Sequence, residues 1–150
     1  MQFGAKELVI KISASDMLKS KAFYETILGF KVDDRYTINV GGNFGAESYI
    51  QMNLILGSRK KFVIGLYQDI QAPYNPMPQT GTVPSFIVDD IEKTLKAFLD
   101  KNVVVDKIDG QYIVSNTSDK GFTDHFFFFR DPDNNSLVIR QNLKKVNKKS

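Results

Sequence analysis

The chain has 150 residues, 42% hydrophobic and 25% charged, which suits one domain or two half-size modules and excludes a disordered, collagen-like or coiled-coil chain. No window approaches the roughly 18 uninterrupted apolar residues of a membrane span. The N-terminal Met-Gln-Phe-Gly-Ala-Lys-Glu lacks the charged-then-apolar order of a secretion signal, so a cytoplasmic protein without a membrane partner is expected. Cysteine is absent and His125 is the single histidine, which removes disulfides, thiol nucleophiles, cysteine-ligated zinc and any multi-histidine metal site within one chain.

The formal net charge of +3 is unevenly placed. Arg140, Lys144, Lys145, Lys148 and Lys149 crowd the last eleven residues with no acid among them, which leaves fifteen of the 20 bases against all 17 acids in the body. A nucleic-acid binder spreads positive charge over a folded face, so no nucleic-acid partner is expected.

Along the chain, Glu7–Ser13 reads as a strand and Asp16 as the N-cap of a helix whose stripe is Leu18, Ala22, Tyr24, Ile27 and Leu28, with Phe23 beside it. Gly29 stops that helix. Phe30–Asn39 is expected to be extended, Gly41-Gly42-Asn43 a turn, and Ser48–Leu56 and Lys61–Gln68 two strands joined through Gly57-Ser58-Arg59-Lys60. Gln71–Gly81, with Pro73, Pro76 and Pro78, is a linker. The pattern then restarts: Thr82–Val88 as strand, Asp90 as N-cap, Ile91, Leu95, Phe98 and Leu99 as the helical stripe, and Asn102 as the left-handed stop. Val103–Ile108, Gln111–Asn116, Asp124–Arg130 and Ser136–Gln141 are extended, and Asp109-Gly110 is either a tight hairpin turn or a bulge.

Laying Asp16 on Asp90, an offset of 74, brings Lys19 onto Lys93, Ser20 onto Thr94 and Tyr24 onto Phe98. The chain therefore reads as a duplication: module one about 6–69, a linker about 70–81, module two about 82–142, and a basic tail 143–150.

Asp16 with Ser20, Phe23-Tyr24 and Leu28-Gly29-Phe30, then Val88-Asp89-Asp90-Ile91, then Arg130-Asp131-Pro132-Asp133-Asn134-Asn135 together resemble the vicinal oxygen chelate superfamily, which includes glyoxalase, bleomycin-resistance protein and extradiol dioxygenase. The resemblance runs from the first strand to the last. One departure is Asn134 where glycine is usual, and asparagine tolerates the left-handed backbone that the turn needs. The resemblance implies an α+β fold of two βαβββ modules, a curled mixed sheet forming a cup with helices outside, and a homodimer. It places Gly41–Gly45 and the proline linker near the rim.

Metal-dependent relatives hold a divalent ion with His and Glu from the first and last strand of each module. The matching positions are Val9, Val83, Val138 and, in the fourth strand, Gly65 or Tyr67. No residue of Leu8–Ala14, Thr82–Val88, Val63–Tyr67 or Ser136–Gln141 is His, Asp or Glu. A divalent ion needs imidazole or carboxylate donors at about 2.0–2.2 Å, so neither metal nor other cofactor is expected.

With Val9 inward, period-two alternation turns Lys11 and Ser13 inward as well, and groups Val83 with Ser85 and Ile87, Gly65 with Tyr67, and Ser136 with Val138 and Arg140. Lys11, Tyr67, Ser85, His125 and Arg140 are the candidate ligand-binding residues of an apolar cup, suited to a small molecule with an acidic or polar end. Plainer readings stand beside these. Lys11 could snorkel to water, Arg140 could be solvated, Tyr67 could pack in an interface, and His125 could be a strand-edge residue held by a backbone carbonyl. Phe126–Phe129 reads as core on both faces. The preferred function is metal-independent binding of a small, largely apolar ligand, similar to antibiotic-sequestering relatives. The alternatives are an enzyme whose groups lie elsewhere (Asp124-His125, Glu47 or Asp69) and an inert interaction module.

Overall fold

Both helices start where a carboxylate takes up the free N–H groups of a first turn. In the computed structural model, which describes residues 8–57, 60–71, 81–118 and 120–143, Asp16 accepts from Lys19 N at 3.0 Å and opens α1, Met17–Leu28. Asp90 accepts from Lys93 N at 2.9 Å and opens α2, Ile91–Asp100. Gly29 ends α1 at φ 77°, its N–H donating to the carbonyl of Glu25 and that of Phe30 to the carbonyl of Tyr24. Asn102 follows α2 at φ 57°, the left-handed conformation in which its side chain can stand in for glycine. Neither helix is long and apolar enough to cross a membrane.

The chain divides into two compact units, residues 1–75 and 76–150. In the first, strands β1 (Val9–Ser13), β2 (Lys31–Val32), β3 (Tyr49–Leu56) and β4 (Lys60–Tyr67) form a sheet of order β1-β4-β3-β2, in which only β1 and β4 run parallel. In the second, β5 (Ser85–Ile87), β6 (Val104–Val105), β7 (Val114–Thr117), β8 (Thr123–Arg130) and β9 (Ser136–Leu143) form a sheet of order β5-β9-β8, with β6 and β7 both on the outer edge of β8. Again only the first and last strands, β5 and β9, are parallel. With β6 and β7 counted as one interrupted strand, the two units share one βαβββ topology, so the fold is α+β with a duplicated module.

Each helix covers one face of its sheet. α1 buries Met17 and Tyr24 over the side that carries Ile12, Ile50, Met52, Ile64 and Leu66, all at most 5% exposed. α2 buries Ile91, Leu95 and Phe98, and the Phe98 ring meets Phe127 and Phe129 edge-on at 5.8 and 5.0 Å. Of the four consecutive phenylalanines, only Phe127 and Phe129 are core. Phe126 and Phe128 turn to the other face and are half-buried, because α2 covers one side alone.

Four expected strands are shorter than their sequence, among them Val103–Ile108, which pairs only at Val104–Val105, and Gln111–Asn116, which is strand only from Val114. Phe30–Asn39 pairs only at Lys31–Val32, because the Asp33 side chain folds the chain back: its carboxylate accepts from Arg35 N at 3.3 Å and its carbonyl from Thr37 Oγ1 at 2.9 Å. The chain returns to the sheet at Ile38, which bridges Tyr49. Thr82–Val88 pairs only from Ser85, just after Pro84, whose carbonyl accepts from Val138 N and which has no N–H to give. Asp109-Gly110 is the hairpin turn: both residues have positive φ, 51° and 80°, and Ile108 and Gln111 exchange both hydrogen bonds at 2.9 and 3.0 Å. The start of the first strand at Glu7, the Ser58-Arg59 turn, nearly all of the proline linker and the basic tail from residue 144 lie outside the described residues.

The Asp-Pro turn before β9 is organised by one buried carboxylate. Asp131 accepts from Asp133 N and Asn135 N, both at 2.9 Å, and from Asn135 Nδ2 at 2.8 Å, while Asn134 takes φ 63°. Asp131→Ala strips three donors of their acceptor at a site 4% exposed. It should lower unfolding free energy by about 3 kcal/mol in urea titrations, whereas Asn134→Gly should stay within about 0.5 kcal/mol of the parent.

Candidate functional site

Strand pairing assigns the central residues of the face turned away from each helix, the open face, although Val63, Gln51, Arg130 and Ser136 on it are buried. In the first module that face has three ranks: Val9, Val63, Asn53 and Lys31; then Lys11, Gly65 and Gln51; then Ser13, Tyr67 and Tyr49. In the second the corresponding ranks are Ser136, Arg130 and Val104; then Ser85, Val138 and Phe128; then Ile87, Arg140, Phe126 and Val114. The first module's face is polar and hydroxyl-bearing. The second is an apolar floor with arginines set into it.

Lys11 is ion-paired with Asp69, and its ammonium lies 5.6 Å from the centre of the Tyr67 ring. Burial pushes the Asp69 carboxyl up, but hydrogen bonds from Lys11 and Ser13 outweigh it and leave the pKa lowered. Tyr67 stacks obliquely on Tyr49, centroids 4.9 Å apart, and Tyr49 OH donates to Gln51 Oε1 at 3.0 Å. Burial, with the charges of Tyr67 and Asp33, raises the Tyr49 pKa and keeps the phenol protonated. Its ring lies across Gly65: a Cβ there would stand 2.5 Å from Tyr49 Cε2 and 2.8 Å from its hydroxyl.

In the second module Ser85 and Arg140 share the open face, and both flank Val138. His125 pairs with Gln141 and Ser115 on the opposite face, the side of Phe127 and α2. The five expected residues therefore divide into Lys11 with Tyr67, Ser85 with Arg140, and His125 by itself. Among the described residues, three buried side-chain polar atoms have no hydrogen-bond partner: Asn53 Oδ1, Ser136 Oγ and Arg140 Nε. All three lie on open faces. Arg140 is half-buried, and Asp124 on the same face makes no ion pair with it.

Asp33, Gln51, Asn53 and Tyr49 were not legible as site residues until the register was known. Alternation along β3 groups Tyr49, Gln51 and Asn53 on one face, but only pairing with β4 shows that this is the open one. Asp33 is held by both Arg35 guanidinium contacts at 2.9 Å and by Asn53 Nδ2 at 2.8 Å. These bonds hold its carboxyl well below the usual carboxylate range despite burial.

The positions that the resemblance matches to metal ligands hold Val9, Val83, Val138 and Gly65 or Tyr67, and the residues paired with the last two are Lys11 and Ser13, neither of them an acid. Among the described residues no three His, Asp or Glu side chains converge. This donor set does not fit a chelated divalent ion.

The family model of the Glyoxalase/Bleomycin resistance protein/Dioxygenase superfamily matches residues 8–139, so the chain belongs to that superfamily. Among solved structures it is similar to a glyoxalase/bleomycin resistance protein/dioxygenase from Alicyclobacillus acidocaldarius, with TM-score 0.64 and 16% identity over 96% of each chain. It is also similar to a genomically encoded fosfomycin resistance protein from Listeria monocytogenes, with TM-score 0.61 and 14% identity over 95% of this chain and 96% of that one. A lactoylglutathione lyase from Agrobacterium tumefaciens aligns with TM-score 0.54 and 15% identity over 94% and 96%. At such identities the likeness concerns the fold. No curated protein matches the sequence.

Two outcomes follow from this geometry. Gly65→Ala should swing Tyr49 off Gln51, seen as a changed tyrosine near-ultraviolet dichroism band and a loss of about 1–2 kcal/mol in stability. Because Asp33 has its folded pKa depressed below the ordinary 3.8, its contribution is complete above that value and is lost as pH falls below about 4. Asp33→Asn should therefore cost more stability at about pH 6 than at about pH 3 in urea titrations.

Proposed function

We propose that the protein binds a small, largely apolar ligand without a metal ion, against the open face of the second module, with an acidic group of the ligand on Arg140. The observation that carries this reading is the half-buried Arg140 guanidinium, whose Nε has no partner while Ile87 and Phe126 flank it and Val138 and Phe128 continue the floor. A buried donor without an acceptor is costly, and a ligand carboxylate or phosphonate would supply the acceptor oxygens and the negative charge that a guanidinium matches. Phe126 and Phe128, edge to face at 5.8 Å, offer aromatic surface beside it, and Ser85 adds a hydroxyl next to Val138. No bond is made or broken in this mode. The ligand is sequestered, in the manner that the bleomycin-resistance branch of the superfamily name suggests.

Isothermal titration of matched probes tests it. An aromatic carboxylate such as naphthoate should bind, and the corresponding neutral amide should bind at least tenfold more weakly. Arg140→Gln should remove that difference, since a hydrogen bond to a charged group is worth about 1.5–3 kcal/mol. Equal affinity for acid and amide would remove Arg140 from the site. Turnover of the probe, with loss of activity on chelation, would replace binding with metal-dependent catalysis.

A further inference from the structure

We propose that the cleft beside β2 and β3 is a second binding site, for a small organic cation with two or more N–H donors: a guanidinium, an amidinium or a primary ammonium. The cleft has a volume of about 450 Å³ and is lined by Gly29, Lys31, Asp33, Arg35, Asn53 and Ile55 among others. It belongs entirely to the first module and does not depend on the Arg140 reading.

The orientation of Asn53 is fixed, because only its Nδ2 can donate to the Asp33 carboxylate, 2.8 Å away. Its Oδ1 must then point away, and it is buried with no donor. Lys31, directly opposite on β2, supplies none, and neither does Arg35.

The duplicated module shows which chemical group this arrangement accepts. Asp33 N donates to the carbonyl of Gln51, and Asp106 N donates to the carbonyl of Phe128; Gln51 pairs with Gly65 as Phe128 pairs with Val138. Asp33 and Asp106 thus occupy one structural position, and so do Asn53 and Arg130, each two residues further along its strand. In the second module the Arg130 guanidinium reaches across to Asp106 at 2.7 Å and also donates to the Asn134 carbonyl at 3.1 Å. In the first, the strand side chain is cut back to asparagine. The carboxylate takes its cation from Arg35 instead, a side chain 71% exposed, and the neighbouring acceptor is left over. The first module has the carboxylate, the acceptor and the room, but no guanidinium rooted in its strand.

Both acceptors are closed to solvent as they stand, Asn53 Oδ1 buried and the Asp33 side chain 4% exposed, so a cationic ligand would donate to them only in place of the mostly exposed Arg35 guanidinium. The Arg35 guanidinium is 71% exposed and screened by solvent on that side, so a ligand that also fills the cleft can compete with it for the carboxylate. With Arg35 withdrawn, the remaining charged lining is Lys31 against Asp33 and Asp34, an excess of one negative charge.

The test is a titration of the full chain with methylguanidinium, followed by the side-chain amide resonances of Asn53. Tetramethylammonium, with the same charge and no N–H, is the control. Methylguanidinium should give a saturable shift at millimolar concentration and tetramethylammonium none. Asn53→Arg, which places the second module's guanidinium in the first, should abolish the response in backbone resonances of residues 31–35. Asn53→Leu, of similar volume, should do the same should the arginine variant fail to fold. Arg35→Gln should tighten binding roughly two- to fivefold by removing the competing cation. No saturation by about 100 mM, an equal response to tetramethylammonium, or binding that survives in both Asn53 variants would overturn the proposal.

Discussion

A sheet has two faces, and each module of this chain supplies a single helix to cover them. The covered faces are filled in the ordinary way, by Ile12, Met52, Ile64 and Leu66 under α1 and by Phe127, Phe129 and Ile139 under α2. The open faces are where the modules have diverged. One carries Lys11, Gln51, Tyr49 and Tyr67; the other carries Val138, Phe126, Phe128 and Arg140. The three central strands pair alike in both modules, so there the difference lies in the side chains.

The buried atoms left without partners follow this division. Buried polar atoms are nearly always hydrogen-bonded, because an unpaired one forfeits its hydration with no return. Here Asn53 Oδ1, Ser136 Oγ and Arg140 Nε all lie on open faces. Other buried charges are paired: Asp131 binds three donors of its own turn, and Arg130, on the open face of the second module, is held by Asp106 and the Asn134 carbonyl.

Much of this was legible in the sequence wherever a residue acts on near neighbours. Asp16, Asp90, Gly29, Asn102 and the Asp131–Asn135 turn work within a few positions of themselves, so their types give the helix limits, the turn and the duplication. What could not be read depends on residues far apart in sequence. The Asp33 grip on Asn53 joins positions 20 apart, and the placement of His125 opposite Arg140 needed the β8–β9 register. The correspondence of Asp33 with Asp106 is displaced by one residue from the helix offset, because α2 is two residues shorter than α1 and the segment after it one residue longer, so sequence comparison alone passes over it.

Binding without a metal is the claim on which the functional account rests, and metal content measures it most directly. Untagged protein, saturated in turn with zinc, nickel, manganese or iron and then dialysed, should retain less than about a tenth of an equivalent of each, since a true site holds its ion through dialysis. Close to one ion per chain would contradict the account and show that ligands outside the usual positions assemble a metal centre.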